Sequence, residues 1–267
     1  MRFIITTLLL LAVAGGPALG QEEEQSSSQS TFEALNSAWQ RHQQEFFEKQ
    51  REDGRKARAA ARKAREEGKA PSPMRAMSMR APLGKHLAAF QAAAKERVGT
   101  EEAIPFLIWV AEHALGTKHK AAVGNATGAL IGSHIKSEGI GRLPSLLAAM
   151  RRSLGDHKVN ALLVRLENEN PHASVRAQAI MARITPDLKK APVESKKYIA
   201  AKVDALRAIA MNDGRTTSAL QGMIDLREKL VVGMAAPEIS GVDLDGTAFK
   251  LSDYKGKIIL LDFWGDW

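Results

Sequence analysis

Apolar side chains recur along most of the chain at spacings of three and four, the period of a helix with one buried face. Phe32, Leu35, Trp39, His42 and Phe46 form one such stripe. Ile104, Leu107, Ile108, Ala111 and Leu115 form another, opened by Thr100-Glu-Glu, whose acids suit a helix N-terminus, and closed by Gly116. Val159, Leu162, Leu163 and Leu166 mark a further helix. Val175, Ile180, Met181 and Ile184 mark the next, with Pro171 expected at its first helical position. Ile199, Val203, Leu206 and Ala210 predict one buried face on the helix that follows, and Leu220, Met223, Ile224 and Leu230 a last one. Taken in pairs, the patterns give units beginning near Gly84, Lys118, Asp156 and Ala191, a spacing of roughly 35 residues in the range of helical-hairpin repeats. A bundle without repeats has the same signature, and in either case short connections make sequential helices pack antiparallel. The fold class is mostly α, with a helical bundle or helical-hairpin repeats over 83–231.

The pattern changes on both sides of that region. Residues 21–31 are polar and of low complexity, which predicts a disordered linker. Ser30 followed by Glu33 is a capping-box signature and predicts a helix start there. From Arg51 to Lys69 the apolar residues are mostly alanines, while Arg51, Arg55, Arg58, Arg62 and Arg65 run as a basic stripe down one face. Residues 32–70 therefore read as one basic amphipathic helix, ended by Gly68 and Pro71-Ser-Pro73, with a linker over 71–82. Beyond Val232 the helical period gives way to short β-prone stretches around Asp245-Gly246, a hairpin signal. Ser252 is placed to cap a brief turn, and Lys257 to Phe263 reads as a buried strand.

Composition narrows the chemistry. Arg2, the apolar run Phe3 to Val13 and the small residues Ala18-Leu-Gly20 have the layout of a signal peptide over 1–20. Cleavage near Gly20 would leave the chain periplasmic or extracellular, and the apolar run is too short to span a bilayer. Much of the net charge of +8 sits in the arginine stretch. Such a stripe suits anionic lipid, nucleic acid or an acidic partner. The alanines give no membrane anchor, however, and no aromatics interleave for base stacking, so a solvated helix is the favoured reading over membrane-surface contact. An exported chain also meets little nucleic acid. The chain has no cysteine, which removes a disulfide framework, a thiolate metal site and a thiol nucleophile from the residues given. The seven histidines do not fall at ligand spacing, and no phosphate-loop or nucleophile-elbow motif occurs, so no metal and no cofactor are predicted. Asn125-Ala-Thr127 matches a glycosylation sequon, a short match inside a helical stretch.

Three runs in 232–267 belong together: Gly233-Met-Ala-Ala-Pro-Glu-Ile, Leu244-Asp-Gly-Thr-Ala-Phe-Lys-Leu-Ser-Asp-Tyr-Lys-Gly, and Lys257-Ile-Ile-Leu-Leu-Asp-Phe-Trp-Gly-Asp-Trp267. The stretch resembles the opening of thioredoxin-fold proteins of the TlpA and alkyl-hydroperoxide-reductase type. Ala236-Pro237 matches the family's Ala-Pro, and Leu251 to Lys257 its lead-in to the central strand. The Phe-Trp-Gly-Asp-Trp approach looks like the disulfide reductases, since peroxiredoxins usually place Thr-x-x-Cys there. The resemblance implies the truncated start of an α/β thioredoxin-like domain and a thiol–disulfide oxidoreductase. Its partners would be protein disulfides or a redox protein, with the helical region positioning them.

The same resemblance supplies two candidate site residues. Asp262 would be the proton relay beneath the second cysteine, and Trp267 would flank the first. A carboxylate in an apolar strand is desolvated, although without the active-site helix solvent becomes the expected neighbour. The family reaction needs a thiol at a helix N-terminus, so the chain as given is expected to be inactive, cut immediately before Cys-x-x-Cys. An in-frame UGA encoding selenocysteine and read as a stop is an alternative cause of the break. The alternative from another class is a helical-repeat binding or scaffold protein with a vestigial thioredoxin-like remnant.

Overall fold

The computed structural model describes residues 18–70 and 77–262. Most of the leader expected over 1–20, part of the linker expected over 71–82, and Trp267 lie outside the described residues. The described chain is mostly helical. Its helices are α1 (Ala18–Glu66), α2 (Gly84–Glu96), α3 (Ala103–Ala114), α4 (Lys120–Ser133), α5 (Leu143–Ala149), α6 (Arg151–Leu154), α7 (Asp156–Glu169), α8 (Ala173–Lys190), α9 (Lys196–Ile209) and α10 (Gly214–Glu228). Two short strands follow, β1 (Ser240–Val242) and β2 (Ala248–Lys250). The chain divides into two compact units, Met1–Leu146 and Leu147–Trp267.

In the first unit, α1 begins well before the expected capping box. Residues 21–31 are helical rather than a disordered linker, and Ser30 lies inside the helix. The physical reason is local: no glycine or proline interrupts the chain from Gln21 to Asp53, and Glu, Gln and Ala favour helix. Gln29 Nε2 donates to Glu33 Oε1 across one turn (3.1 Å). Trp39 carries the attachment of α1 and is 3% exposed. It meets Trp109 of α3 edge to face, with ring centroids 5.6 Å apart. Phe90 of α2 stacks flat on the same indole at 3.7 Å. The buried face of α3 is broader than one stripe, because Phe106, Trp109 and Val110 are buried along with Ile104, Ile108 and Ala111. Helices α2 and α4 both pack against it. Gly116, at φ +74°, supplies the left-handed residue that ends the turn after α3.

In the second unit, α7 to α10 pack in chain order. Val159, Leu163 and Leu166 of α7 are buried as the stripe predicts, and so are Val175, Ile180 and Ile184 of α8. Helix α8 begins two residues after Pro171, at Ala173, with His172 as its N-cap. Helix α9 departs from expectation. Ile199, Val203 and Leu206 are 52%, 61% and 50% exposed, while Tyr198, Ala201, Ala205 and Ala208 face the core. This helix carries two apolar stripes, and packing chooses the smaller one. Between α8 and α10 the alanines permit close approach of the axes, which branched side chains would prevent. Tyr198 fills the remaining space, and its hydroxyl donates to Glu228 Oε1 (3.0 Å).

Charged side chains tie these helices together. Arg183 of α8 donates to Glu167 of α7 (2.9 Å) and to Asp204 of α9 (3.0 Å). Arg207 joins the same two carboxylates. Burial opposes the charge of Arg183, but its hydrogen bonds to Glu167 and then Asp204, and their negative charge, outweigh it and raise its pKa. Arg227 of α10 donates to the carbonyls of Lys189 (2.8 Å) and Ala191 (2.7 Å), satisfying groups at the end of α8.

Candidate functional site

The stretch that carries the family resemblance leaves α10 through Gly233, where φ is +93°. Strands β1 and β2 pair antiparallel, with Ser240 opposite Lys250, Gly241 opposite Phe249 and Val242 opposite Ala248. The turn falls at Asp245-Gly246 as the sequence predicts. Asp243 organises it: Oδ1 accepts from the amides of Asp245 (3.0 Å) and Thr247 (2.8 Å), and its backbone carbonyl accepts from Gly246 (3.0 Å). Gly246 has φ +80° and closes a three-residue loop that a side chain would strain. A Cβ at Gly241 would lie 3.3 Å from the Phe249 ring, so the bare backbone there lets the ring cross the hairpin.

Beyond the hairpin the chain forms a 3₁₀ turn, Leu251–Tyr254. The expected cap, Ser252, is not the residue that caps it: Asp253 Oδ2 accepts from the Lys250 amide (2.8 Å). Glu238, which the sequence gave no reason to single out, closes the segment into a loop. Its Oε1 accepts from the Ser252 amide (3.1 Å) and the Ile239 amide (3.2 Å), and Leu251 donates to the Ile239 carbonyl (2.8 Å). The bonds from Ser252 hold the Glu238 carboxyl below its ordinary range. The only signal in sequence is an acid directly after Pro237.

Lys257 to Asp262 departs from the predicted buried strand. No strand is formed there among the described residues, and Ile258, Ile259, Leu260 and Leu261 are 103%, 42%, 94% and 49% exposed. Their exposure alternates, as side chains of a strand do, but no described strand pairs with them. Asp262 is exposed, with solvent as its neighbour. No cluster of three or more metal-ligating side chains occurs among the described residues, and no described helix is long and apolar enough to cross a membrane.

A second constellation was not legible as one. Three histidines from three helices gather around Trp39, with ring centroids 5.7 Å (His42), 5.4 Å (His86) and 5.7 Å (His113) from its own. His42 and His86 lie 5.0 Å apart. His42 Nε2 contacts the Pro82 carbonyl at 3.1 Å, and His113 Nδ1 the Trp109 carbonyl at 3.0 Å. Burial pushes His86 below its ordinary value, with His42 and Lys85 adding to the effect. Burial also lowers His113, against the Trp109 carbonyl and Glu112, with Arg142 adding to the decrease. Sequence held half of this signal, in the three- and four-residue spacings of Trp39–His42 and Trp109–His113.

Comparison with known proteins assigns a class to one short part of the chain. The matches are thiol–disulfide oxidoreductases, which supports a thioredoxin-like relationship for that part. They include the thiol-disulfide oxidoreductase ResA of Bacillus cereus (strain ATCC 10987 / NRS 248), 43% identical over 47 residues, or 18% of this chain and 27% of that protein. ResA of Geobacillus kaustophilus (strain HTA426) is 47% identical over 38 residues, 14% of this chain and 22% of that protein. The chain thus spans about a quarter of the length of these curated relatives. No family model and no solved structure matches it.

Proposed function

We propose that this chain belongs to an exported thioredoxin-like thiol–disulfide oxidoreductase, with 232–262 as the approach to its redox site. The similarity to the ResA oxidoreductases carries this reading. A thiolate attacks a substrate disulfide, and a second thiol resolves the mixed disulfide and releases the reduced substrate. Asp262 is the carboxylate that takes up the second thiol's proton, and Trp267 stands beside the first sulfur. The 267 residues contain no cysteine, so neither thiol is among them. The helical hairpins starting at Gly84, Lys120, Asp156 and Lys196, at intervals of 36, 36 and 40 residues, form the repeat-like part that presents partners.

The nucleotides downstream of the Trp267 codon provide the first test. A cysteine or selenocysteine codon followed in frame by a thioredoxin-like remainder is expected, and dithiol-dependent insulin reduction by the extended protein should follow. A folded extended protein without that activity would favour the helical scaffold instead.

A further inference from the structure

We propose that the segment of α1 from Arg51 to Arg65 is a docking surface for an anionic phospholipid headgroup layer. Up to Gln50 the helix is held by its own unit. Trp39 is buried there, and Gln50 exchanges hydrogen bonds with Ser78, its Nε2 donating to the Ser78 carbonyl (3.1 Å) and its Oε1 accepting from the Ser78 amide (2.6 Å). From Arg51 to Ala70 every residue is exposed except Gly54, Ala61 and Ala64, which are half-buried.

The five arginines at 51, 55, 58, 62 and 65 are spaced four, three, four and three residues apart. At about 100° per residue they fall in one sector about 80° wide, and at about 1.5 Å per residue they form a line about 21 Å long. Glu52, Asp53, Glu66 and Glu67 all lie outside that sector. Those acids engage Lys56 (2.6 Å from Glu52), Arg62 (2.9 Å from Glu66) and Lys63 (3.9 Å from Glu67). Arg51 Nε reaches, among the described residues, the Phe47 carbonyl alone, at 3.5 Å. Among the described residues, the Arg58 and Arg65 side chains make no ion pair or hydrogen bond, and the Arg55 side chain has only a through-space attraction to Glu52. Most of the stripe's charge is thus left for something outside the fold.

The flank of the stripe says how close that partner comes. Gly54, Ala57, Ala61 and Ala64 line one side, and a Cβ added at Gly54 would meet nothing within 4 Å. These low side chains let the helix axis lie near a surface, with the guanidinium groups reaching down to it. A straight helix touches a plane along one line, and phosphodiester headgroups accept the paired hydrogen bonds that guanidinium offers. A flat layer of mobile headgroups can match five donors at fixed intervals, whereas a nucleic-acid duplex curves away from a straight row. No aromatic residue lies between Arg51 and Lys69 to stack on bases, and no large apolar residue to seat in a protein groove. Contact is therefore at headgroup level and electrostatic, and salt should dissolve it.

Vesicle flotation of the full chain tests this, with phosphatidylcholine vesicles containing or lacking phosphatidylglycerol, at low and high salt. Binding only to the anionic vesicles, released by salt, is expected. Arg55→Gln/Arg58→Gln/Arg65→Gln should lower the partition coefficient by about 100-fold. Lys56→Gln/Lys63→Gln, which removes charge outside the sector, should keep most of the binding. Circular dichroism checks that both variants retain their helix. No binding to anionic vesicles at low salt overturns the proposal. So does equal loss in the lysine variant, or duplex DNA displacing the protein from the vesicles at equal phosphate concentration.

Discussion

Single residues in this chain answer to neighbours that sequence places only in part. Gly54 is the simplest case, a glycine inside α1 with open space where a Cβ would be. Gly54→Ala should raise helix stability by about 1 kcal/mol, read as increased helicity and a higher unfolding temperature. Asp262 takes its candidate role from its position in the stretch that resembles the thioredoxin fold, and what surrounds it here is solvent. Under the proposed function, Asp262→Asn in the extended, redox-competent protein should slow disulfide reduction by about 100-fold and flatten its pH profile. A merely structural acid would leave that profile unchanged. Glu238 shows the limit of reading residues singly, since its partner Ser252 is brought to it by a hairpin that sequence locates but does not close.

At the scale of elements, the attachment of α1 rests on Trp39. Trp39→Ala should cost about 3 kcal/mol or more and expose α1 to limited proteolysis, because α2 and α3 cannot collapse into the space left. The histidines around that indole make the same attachment sensitive to acid. His86 and His113 both have folded values below the ordinary 6.5. The folded chain therefore binds fewer protons at these rings than the unfolded chain, and stability rises with pH. The loss begins as pH falls below about 6.5 and grows toward the depressed folded values. Glu112 works against it, and Lys85 and Arg142 reinforce it. Unfolding temperatures measured from neutral to mildly acid pH should fall, and His86→Gln/His113→Gln should shrink that fall. In the second unit, Arg183→Ala leaves Glu167 and Asp204 with only the more exposed Arg207 between them and should cost about 2 kcal/mol in denaturant unfolding.

For the whole molecule, the division into two compact units predicts two unfolding transitions in calorimetry. Trp39→Ala should lower one and Leu163→Ala the other. Helices α3, α7, α8, α9 and α10 and the stops near Gly68 and Gly116 were legible from residues alone, because propensity, glycine stops and three-four spacing act within a few positions, whereas the start of α1 was not. The buried stripes of α7 and α8 were legible for the same reason, and so was the turn at Asp245-Gly246. What sequence could not decide was which of two apolar faces α9 buries, because that depends on how closely α8 and α10 approach it. Nor could it show three histidines meeting at Trp39, which requires α1, α2 and α3 to be packed. The run Ile258–Leu261 has the composition of a buried strand by itself, but a strand is completed by partners that supply its hydrogen bonds and cover its faces. Local physics settled the helices and the turn, and packing between elements settled which faces are covered and which side chains meet.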